Sequence, residues 1–191
     1  TYAYPFLHKG DFYKDMKFDV IIGNPPYQLE DGGFGKSASP IYQEFVEQAM
    51  RLNPTYLSMI IPARWYAGGK GLDAFRKKML NDERISEIHD FPQTSDCFPG
   101  LNIRGGVCYF LWDKNHTGKT KVINYKNNKI VSSANRNLNF KNLDIFVRYN
   151  KAINVLEKVE NFKEEKFDKI VSSRKPFGLP TNFSTFKTSK S

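Results

Sequence analysis

The stretch Phe18-Asp19-Val20-Ile21-Ile22-Gly23-Asn24-Pro25-Pro26-Tyr27 decides the fold of this 191-residue chain. Its first half is a short, β-branched run typical of a buried strand, and the double proline cannot continue a hydrogen-bonded ladder. We therefore predict a strand that ends at Gly23 and passes into a stiff loop carrying a carboxamide and an aromatic ring. Such a loop lies where ligands of open α/β sheets bind.

Beyond this loop, strand patterns alternate with amphipathic helical patterns as far as Asp113. This alternation predicts an α/β fold with crossover helices. We expect Ser39 and Pro40 to be the N-cap and first-turn residue of the first helix, which should end near Asn53-Pro54. The predicted helices cover residues 41–52 and 72–79, and the predicted strands cover residues 56–61, 85–89 and 107–112.

The net charge of +9 is unevenly distributed along the chain. Residues 1–113 hold 12 Lys and Arg against 14 Asp and Glu, whereas residues 114–191 hold 17 against 6, a net of +11. The second part is also rich in asparagine, with hairpin-like pieces and one helix at about residues 151–161. We predict a domain boundary at 113/114 and a basic, smaller α+β segment after it, either a polyanion-binding module or a basic solvated surface.

The composition excludes several classes of protein. The longest apolar runs, such as 106–112, are far shorter than the roughly 20 residues that a membrane span needs. Two cysteines, Cys97 and Cys108, and three widely spaced histidines do not form a disulfide framework or a metal-ligand cluster. We expect a cytoplasmic protein without a metal.

The residues Asn24 to Tyr27 suit methyl transfer to a planar amino group. The exocyclic nitrogen of adenine is a poor nucleophile because its lone pair is delocalised into the ring. The Asn24 side-chain oxygen and the Pro25 carbonyl oxygen can accept both amino hydrogens and favour a more pyramidal nitrogen, while Pro26 stiffens the loop and Tyr27 stacks on the base. A proline-stiffened turn without a catalytic role is the alternative.

Residues 18–27 resemble motif IV of the S-adenosylmethionine-dependent amino-methyltransferases. The segments around them resemble the adenine-specific DNA methylases of restriction–modification systems, especially the Eco57I-like group. The resemblance covers roughly residues 9–113. It implies the C-terminal portion of a Rossmann-like methyltransferase sheet followed by a target-recognition segment, and a protein that transfers methyl from S-adenosylmethionine to the N6 atom of a flipped-out adenine in double-stranded DNA.

The resemblance also implies roles for residues outside motif IV. Gly10-Asp11-Phe12 is similar to motif III, which makes Asp11 a candidate contact to the cofactor, although a polar turn explains it equally well. Phe98-Pro99, followed by the strand at residues 106–112, is similar to motif VIII, so Phe98 is a candidate to stack on the other face of the base. Phe98 could instead be a core residue, because Phe91-Pro92 offers the same dipeptide. Residues 56–65 and 71–80 resemble motif VI and the helix after it.

One part of the family pattern is missing from these residues. Only 23 residues precede Asn24, and they contain neither a glycine-rich cofactor loop nor an acidic ribose-binding residue. The run Gly32-Gly33-Phe34-Gly35-Lys36-Ser37 follows motif IV and has Glu30 where a phosphate loop needs glycine. We expect an incomplete cofactor site in a piece of a longer protein, whose N-terminal part is its partner, and weak or no cofactor binding and methylation by this piece alone.

The basic segment supplies the candidates for DNA recognition. Arginine suits guanine edges and lysine suits phosphates, which makes Arg136, Arg148, Arg174 and Lys175 candidate DNA contacts. Two alternatives stay open: an RNA or protein-glutamine amino-methyltransferase, and a non-catalytic DNA-binding module. No nuclease motif occurs in these residues.

Overall fold

The computed structural model describes residues 6–7, 16–29, 39–69, 71–141, 143–162 and 164. It contains an α/β sheet with helices, as the sequence predicts. The elements in chain order are β1 (Val20–Gly23), α1 (Tyr42–Arg51), β2 (Tyr56–Pro62), α2 (Asp73–Asn81), β3 (Ile85–Phe91), β4 (Val107–Asp113), β5 (Thr120–Lys126), β6 (Lys129–Arg136) and α3 (Asn150–Asn161). Two short 3-10 turns lie at Ala63–Tyr66 and Thr94–Asp96.

The six strands form one mixed sheet in the order β1-β2-β4-β3-β5-β6. Strands β1 and β2 are parallel, as are β3 and β5, while β4 runs antiparallel to both of its neighbours and β6 runs antiparallel to β5. The carboxyl ends of β1 and β2 therefore lie at the same edge of the sheet as the start of β4.

One face of the sheet forms the core with helices α1 and α2. Strand residues such as Leu57, Ile61 and Trp112 are fully buried there. Helix α1 contributes Val46 and helix α2 contributes Met79, both also fully buried. These positions follow the period of two along strands and of 3.6 along helices, so burial of apolar side chains explains why each segment adopts its element.

The two ends of α1 differ from each other in how well the sequence predicts them. The helix begins at Tyr42 after Ile41, which makes no side-chain capping bond, so the prediction of Ser39 as N-cap is wrong. The backbone N–H of Leu29 donates to the Ser39 carbonyl, and Pro40 forms a β-bridge with Gln28, so both residues extend the loop instead. The helix ends before Asn53, whose positive φ of 51° suits asparagine.

The predicted domain boundary at 113/114 falls between two strands of the single sheet. Strand β5 pairs with β3, and its residues Val122 and Ile123 are buried, so this part of the basic segment is built into the sheet of the preceding residues. By compactness, the chain divides into Thr1–Asn154 and Val155–Ser191. The physical reason is that β5 buries apolar side chains, which the high charge of the segment conceals in the sequence.

In the second of these units, the structure describes residues 155–162 and 164. Residues 155–161 form the C-terminal part of α3. Val155 and Val159 in this helix and Phe162 directly after it are exposed.

Candidate active site

A pocket of about 710 Å³ opens at the edge where β1 and β2 end. Three segments line it: the loop after β1 together with the start of α1, the end of β2 with the turn that follows it, and the loop before β4. The lining residues are Asn24, Pro25, Pro26, Tyr27, Gln28, Pro40, Tyr42, Pro62, Arg64, Asn102, Ile103 and Arg104. The topology therefore brings all four residues of the Asn-Pro-Pro-Tyr loop to one cavity.

Asn24 presents a free carboxamide at this pocket. Its side chain is exposed and has no hydrogen-bond partner among the described residues, whereas Pro25 directly after it is buried. The loop is fixed further along, because the Ile41 N–H donates to the Tyr27 carbonyl at 3.2 Å. The carboxamide is therefore held on a stiff backbone while its oxygen and nitrogen remain available to a ligand.

Tyr27 is half-buried, and the buried part includes its hydroxyl. That hydroxyl has no hydrogen-bond partner among the residues described. Burial, and then the nearby Cys97 and Cys108 thiols, raise the pKa of the Tyr27 hydroxyl to about 12. The phenol is therefore neutral at ordinary pH, and its usable surface is the ring.

Phe98, the predicted base-stacking residue, does not line this pocket, and neither does Phe91 of the alternative dipeptide. Phe98 is half-buried in the turn after Thr94–Asp96, where its N–H donates to the Thr94 carbonyl at 2.7 Å, and it is not among the lining residues. Phe91 belongs to β3 and stacks on Tyr125 with ring centroids 4.4 Å apart. Asp11, the candidate cofactor contact, lies outside the described residues.

The two described DNA-contact candidates, Arg136 and Arg148, are bound within the chain. Arg136 donates to the Asn150 side-chain oxygen at 2.8 Å and to the Val147 carbonyl, and its guanidinium lies over the Phe146 ring. Burial lowers the pKa of Arg136 to about 10. Its Nε and Nη2 donate inside the fold, whereas the buried Nη1 has no hydrogen-bond partner among the described residues. Arg174 and Lys175 lie outside the described part of the chain.

Arg148 forms a buried ion pair with Asp90. Its Nε and Nη2 donate to both oxygens of the Asp90 carboxylate at 2.7 to 3.0 Å, and Nη1 donates to the Gly105 carbonyl at 2.8 Å. Asp90 is fully buried, and Asn124 donates a further bond to it at 3.2 Å. Although burial lowers the pKa of Arg148, the Asp90 carboxylate outweighs this and raises it above its usual value. Arg148 therefore supports the sheet and the loop at Gly105.

The structure adds two cations that the sequence did not single out as site residues. Arg64 follows β2 and Arg104 precedes β4, and both are exposed at the pocket, where no described lining residue is Asp or Glu. The sequence gives no signal that Arg104 belongs to the site. Its position there depends on β4, which inserts antiparallel between β2 and β3 and starts at the edge where β2 ends. A signal for Arg64 did exist, since it follows a predicted buried strand at the ligand-binding edge.

The described residues show neither a metal-ligand cluster nor a membrane-spanning helix. Among them, no group of three or more His, Cys, Asp or Glu side chains is placed to hold a metal ion. No helix in the same residues has the length and apolar character needed to cross a membrane.

The fold and the loop define an α/β protein with a polar pocket at the carboxyl edge of its sheet. The family model described as Eco57I restriction-modification methylase matches residues 1–98, just over half of the chain. The protein belongs to this family.

One relative and two solved structures are similar to part of this chain. An uncharacterized adenine-specific methylase from Mycoplasma pneumoniae is 44% identical over 154 residues, which cover 72% of this chain and 36% of the relative. The chain thus spans about a third of the length of that relative. Among solved structures, the type I restriction–modification methyltransferase subunit from Streptococcus thermophilus is 16% identical, with a TM-score of 0.42, covering 80% of this chain and 34% of that one. The type I restriction enzyme EcoKI M protein is 14% identical, with a TM-score of 0.41, covering 63% and 27%.

Proposed function

We propose that the protein is a site-specific DNA adenine-N6 methyltransferase of a restriction–modification system. The observation that carries the proposal is the Asn-Pro-Pro-Tyr loop, which lines a pocket at the carboxyl edge of the sheet with a carboxamide that has no partner among the described residues. The family match and the adenine-specific relative support the same reaction. A cytoplasmic location agrees with a DNA substrate and is part of the proposal.

The residues of the loop have complementary tasks in this reaction. The Asn24 side-chain oxygen and the Pro25 carbonyl oxygen accept the two hydrogens of the adenine amino group, which localises the nitrogen lone pair for attack on a methyl group. The stiff Pro25-Pro26 backbone keeps the two acceptors in place without reorganisation. The Tyr27 ring stacks on the base, which must leave the duplex to reach the pocket.

S-adenosylmethionine would supply the methyl group. The described lining fits the acceptor base better than the cofactor, because it offers amide and carbonyl oxygens and tyrosine rings but no carboxylate for the adenine or ribose of the cofactor. Asp11 remains the proposed cofactor contact. Phe98 could stack on the second face of the base only if its turn moves toward the pocket, and we propose this as a step that accompanies DNA binding.

The DNA contacts outside the pocket are proposed to come from the basic segment after Asp113. Its net charge of +11 favours a polyanion. Arg174 and Lys175 remain proposed contacts there, while Arg136 and Arg148, also proposed from the sequence, have hydrogen bonds within the fold.

Replacing Asn24 with alanine in the full-length protein tests the proposal. Transfer of labelled methyl groups to DNA should fall by about 100-fold or more, because one of two oriented groups at the reacting nitrogen is lost. DNA binding and the unfolding midpoint should stay unchanged, since the side chain is exposed and has no partner among described residues. The matched control is Asn115→Ala at an exposed turn, which should retain full activity. Undiminished DNA methylation by Asn24→Ala, or methylation of RNA or protein alone by the wild type, would refute it.

A further inference from the structure

The pocket carries two arginines without counter-ions. Arg64 and Arg104 both line it, both are exposed, and neither guanidinium has a hydrogen bond or ion pair with another described residue. None of the described lining residues is acidic. By contrast, Arg76, Arg84 and Arg148 each pair with an aspartate. The pocket therefore has a positive potential that nothing in the described part of the chain neutralises.

Arg64 is presented by a rigid turn. It lies in the 3-10 turn Ala63–Tyr66, between Ala63 and Trp65, which are 4% and 0% exposed. The Gly68 N–H donates to the Arg64 carbonyl at 2.9 Å, and a Cβ added to Gly68 would lie 2.9 Å from Arg64 Cγ. The close approach of this glycine confines the base of the Arg64 side chain.

Arg104 is held from both sides. The preceding residue, Ile103, exchanges hydrogen bonds with the Thr94 hydroxyl through its N–H at 3.2 Å and its carbonyl at 3.0 Å. The following residue, Gly105, accepts a bond from Arg148, which is itself fixed by buried Asp90. A charged side chain on so firmly tied a loop is preorganised for a ligand and loses little backbone freedom on binding.

The pocket has a buried part lined by proline and tyrosine side chains and an exposed part that carries the two arginines. Pro25, Tyr42 and Pro62 are buried, whereas Arg64 and Arg104 are exposed. A nucleotide that enters base first would leave its phosphates at the exposed part, beside the arginines. The planar guanidinium matches a phosphate with two parallel hydrogen bonds, which a lysine cannot provide.

We propose that Arg64 and Arg104 together bind a backbone phosphate next to the adenine that enters the pocket. This inference rests on the proposed function and assigns the two arginines to holding the strand in its extruded geometry. They act on DNA binding and positioning, and they do not take part in the transfer of the methyl group.

The first test replaces each arginine in the full-length protein. With a duplex that contains the mapped target site, Arg64→Ala and Arg104→Ala should each raise KM for DNA about tenfold while kcat changes less than about threefold. The slope of log Kd against log salt concentration should become shallower by about one for each variant, as expected when one phosphate contact is lost. Lysine at either position should retain the slope and recover only part of the affinity.

The matched control is Arg51→Ala. Arg51 is an exposed arginine at the end of α1, bonded only to Gln48 among the residues described, and it does not line the pocket. This variant should keep both KM and the salt slope. Wild-type values of KM and slope in Arg64→Ala and Arg104→Ala would overturn the inference.

The second test changes the DNA and leaves the protein intact. Neutral methylphosphonate linkages are introduced one at a time around the target adenine. The wild type should lose about tenfold in affinity at one linkage beside the adenine, and Arg104→Ala should show no further loss there. An equal loss at every linkage would contradict the inference. Absence of DNA methylation by the wild type would instead refute the proposed function. Normal methylation by the wild type, with KM and salt slope unchanged in the two arginine variants, would refute only the phosphate site.

Discussion

Replacing Asp90 with alanine is expected to lower the free energy of unfolding by about 3 kcal/mol. Asp90 is fully buried, and its carboxylate accepts bonds from Arg148 and Asn124. Removing one partner of a buried ion pair costs about 3–5 kcal/mol because the other charge stays buried and unpaired. We take the lower end because the Arg148 side chain is 20% exposed and keeps its bond to Gly105.

The loss can be measured by urea denaturation followed by circular dichroism. For a chain of this size, a loss of about 3 kcal/mol corresponds to a fall in Tm of about 6–12 °C. Asp144→Ala, at an exposed position, is the matched control and should change stability by less than about 0.5 kcal/mol. Adding Arg148→Met to Asp90→Ala should restore part of the loss, since it removes the unpaired charge. A loss below about 1 kcal/mol, or single-variant losses that simply add, would refute the reasoning.

Two further predictions concern single polar groups. Tyr27→Phe should retain methylation, because it keeps the stacking ring. Its free energy of unfolding should be unchanged or raised by up to about 1 kcal/mol, since it removes a buried hydroxyl that has no partner among described residues. Tyr27→Ala should lose activity because it removes the ring. Activity falling in Tyr27→Phe as far as in Tyr27→Ala would contradict a role for the ring alone. Burial raises the pKa of the Asp82 carboxyl, but hydrogen bonds from Arg84 and Trp112 outweigh burial and lower this pKa below its usual value of 3.8. The ionised carboxylate therefore stabilises the fold above pH 3.8, and this stabilisation is lost as the pH falls below that value. Asp82→Asn should therefore be less stable than the wild type at pH 7, with the difference in unfolding free energy narrowing as the pH falls below 3.8; a difference independent of pH would contradict this.

Parts of the site could be predicted from the sequence because they are local. The strand β1 and the loop after it are specified by adjacent residues: β-branched side chains favour the strand, and Pro25-Pro26 ends it. The prediction that this strand is buried is wrong, because β1 lies at the edge of the described sheet with Val20 52% and Ile22 78% exposed. The same holds for the end of α1 at Asn53, where asparagine tolerates the positive φ. The start of that helix could not be predicted, because Ser39 and Pro40 are drawn into hydrogen bonds and a β-bridge with the loop after β1.

Charge and residue type do not distinguish arginines that support the fold from arginines at the surface. Arg136 and Arg148 belong to a strongly basic segment, and their residue type suits base edges. Both make hydrogen bonds inside the fold, and the partner of Arg148, Asp90, lies 58 residues away in sequence. A distant pairing of this kind leaves no periodic pattern, so a basic residue that supports the framework cannot be told from one on the surface.

By itself, the sequence determined the α/β class, the position of the motif strand with its Asn-Pro-Pro-Tyr loop, and the polar and aromatic side chains that the loop carries. These depend on side chains that are neighbours along the chain. The tertiary structure alone decided that β4 inserts between β2 and β3, that β5 and β6 extend the same sheet, and that Arg64 and Arg104 meet at one pocket. The reason is physical: strand order and long-range ion pairs depend on which apolar faces and charges are buried together, which becomes fixed only when the whole sheet assembles.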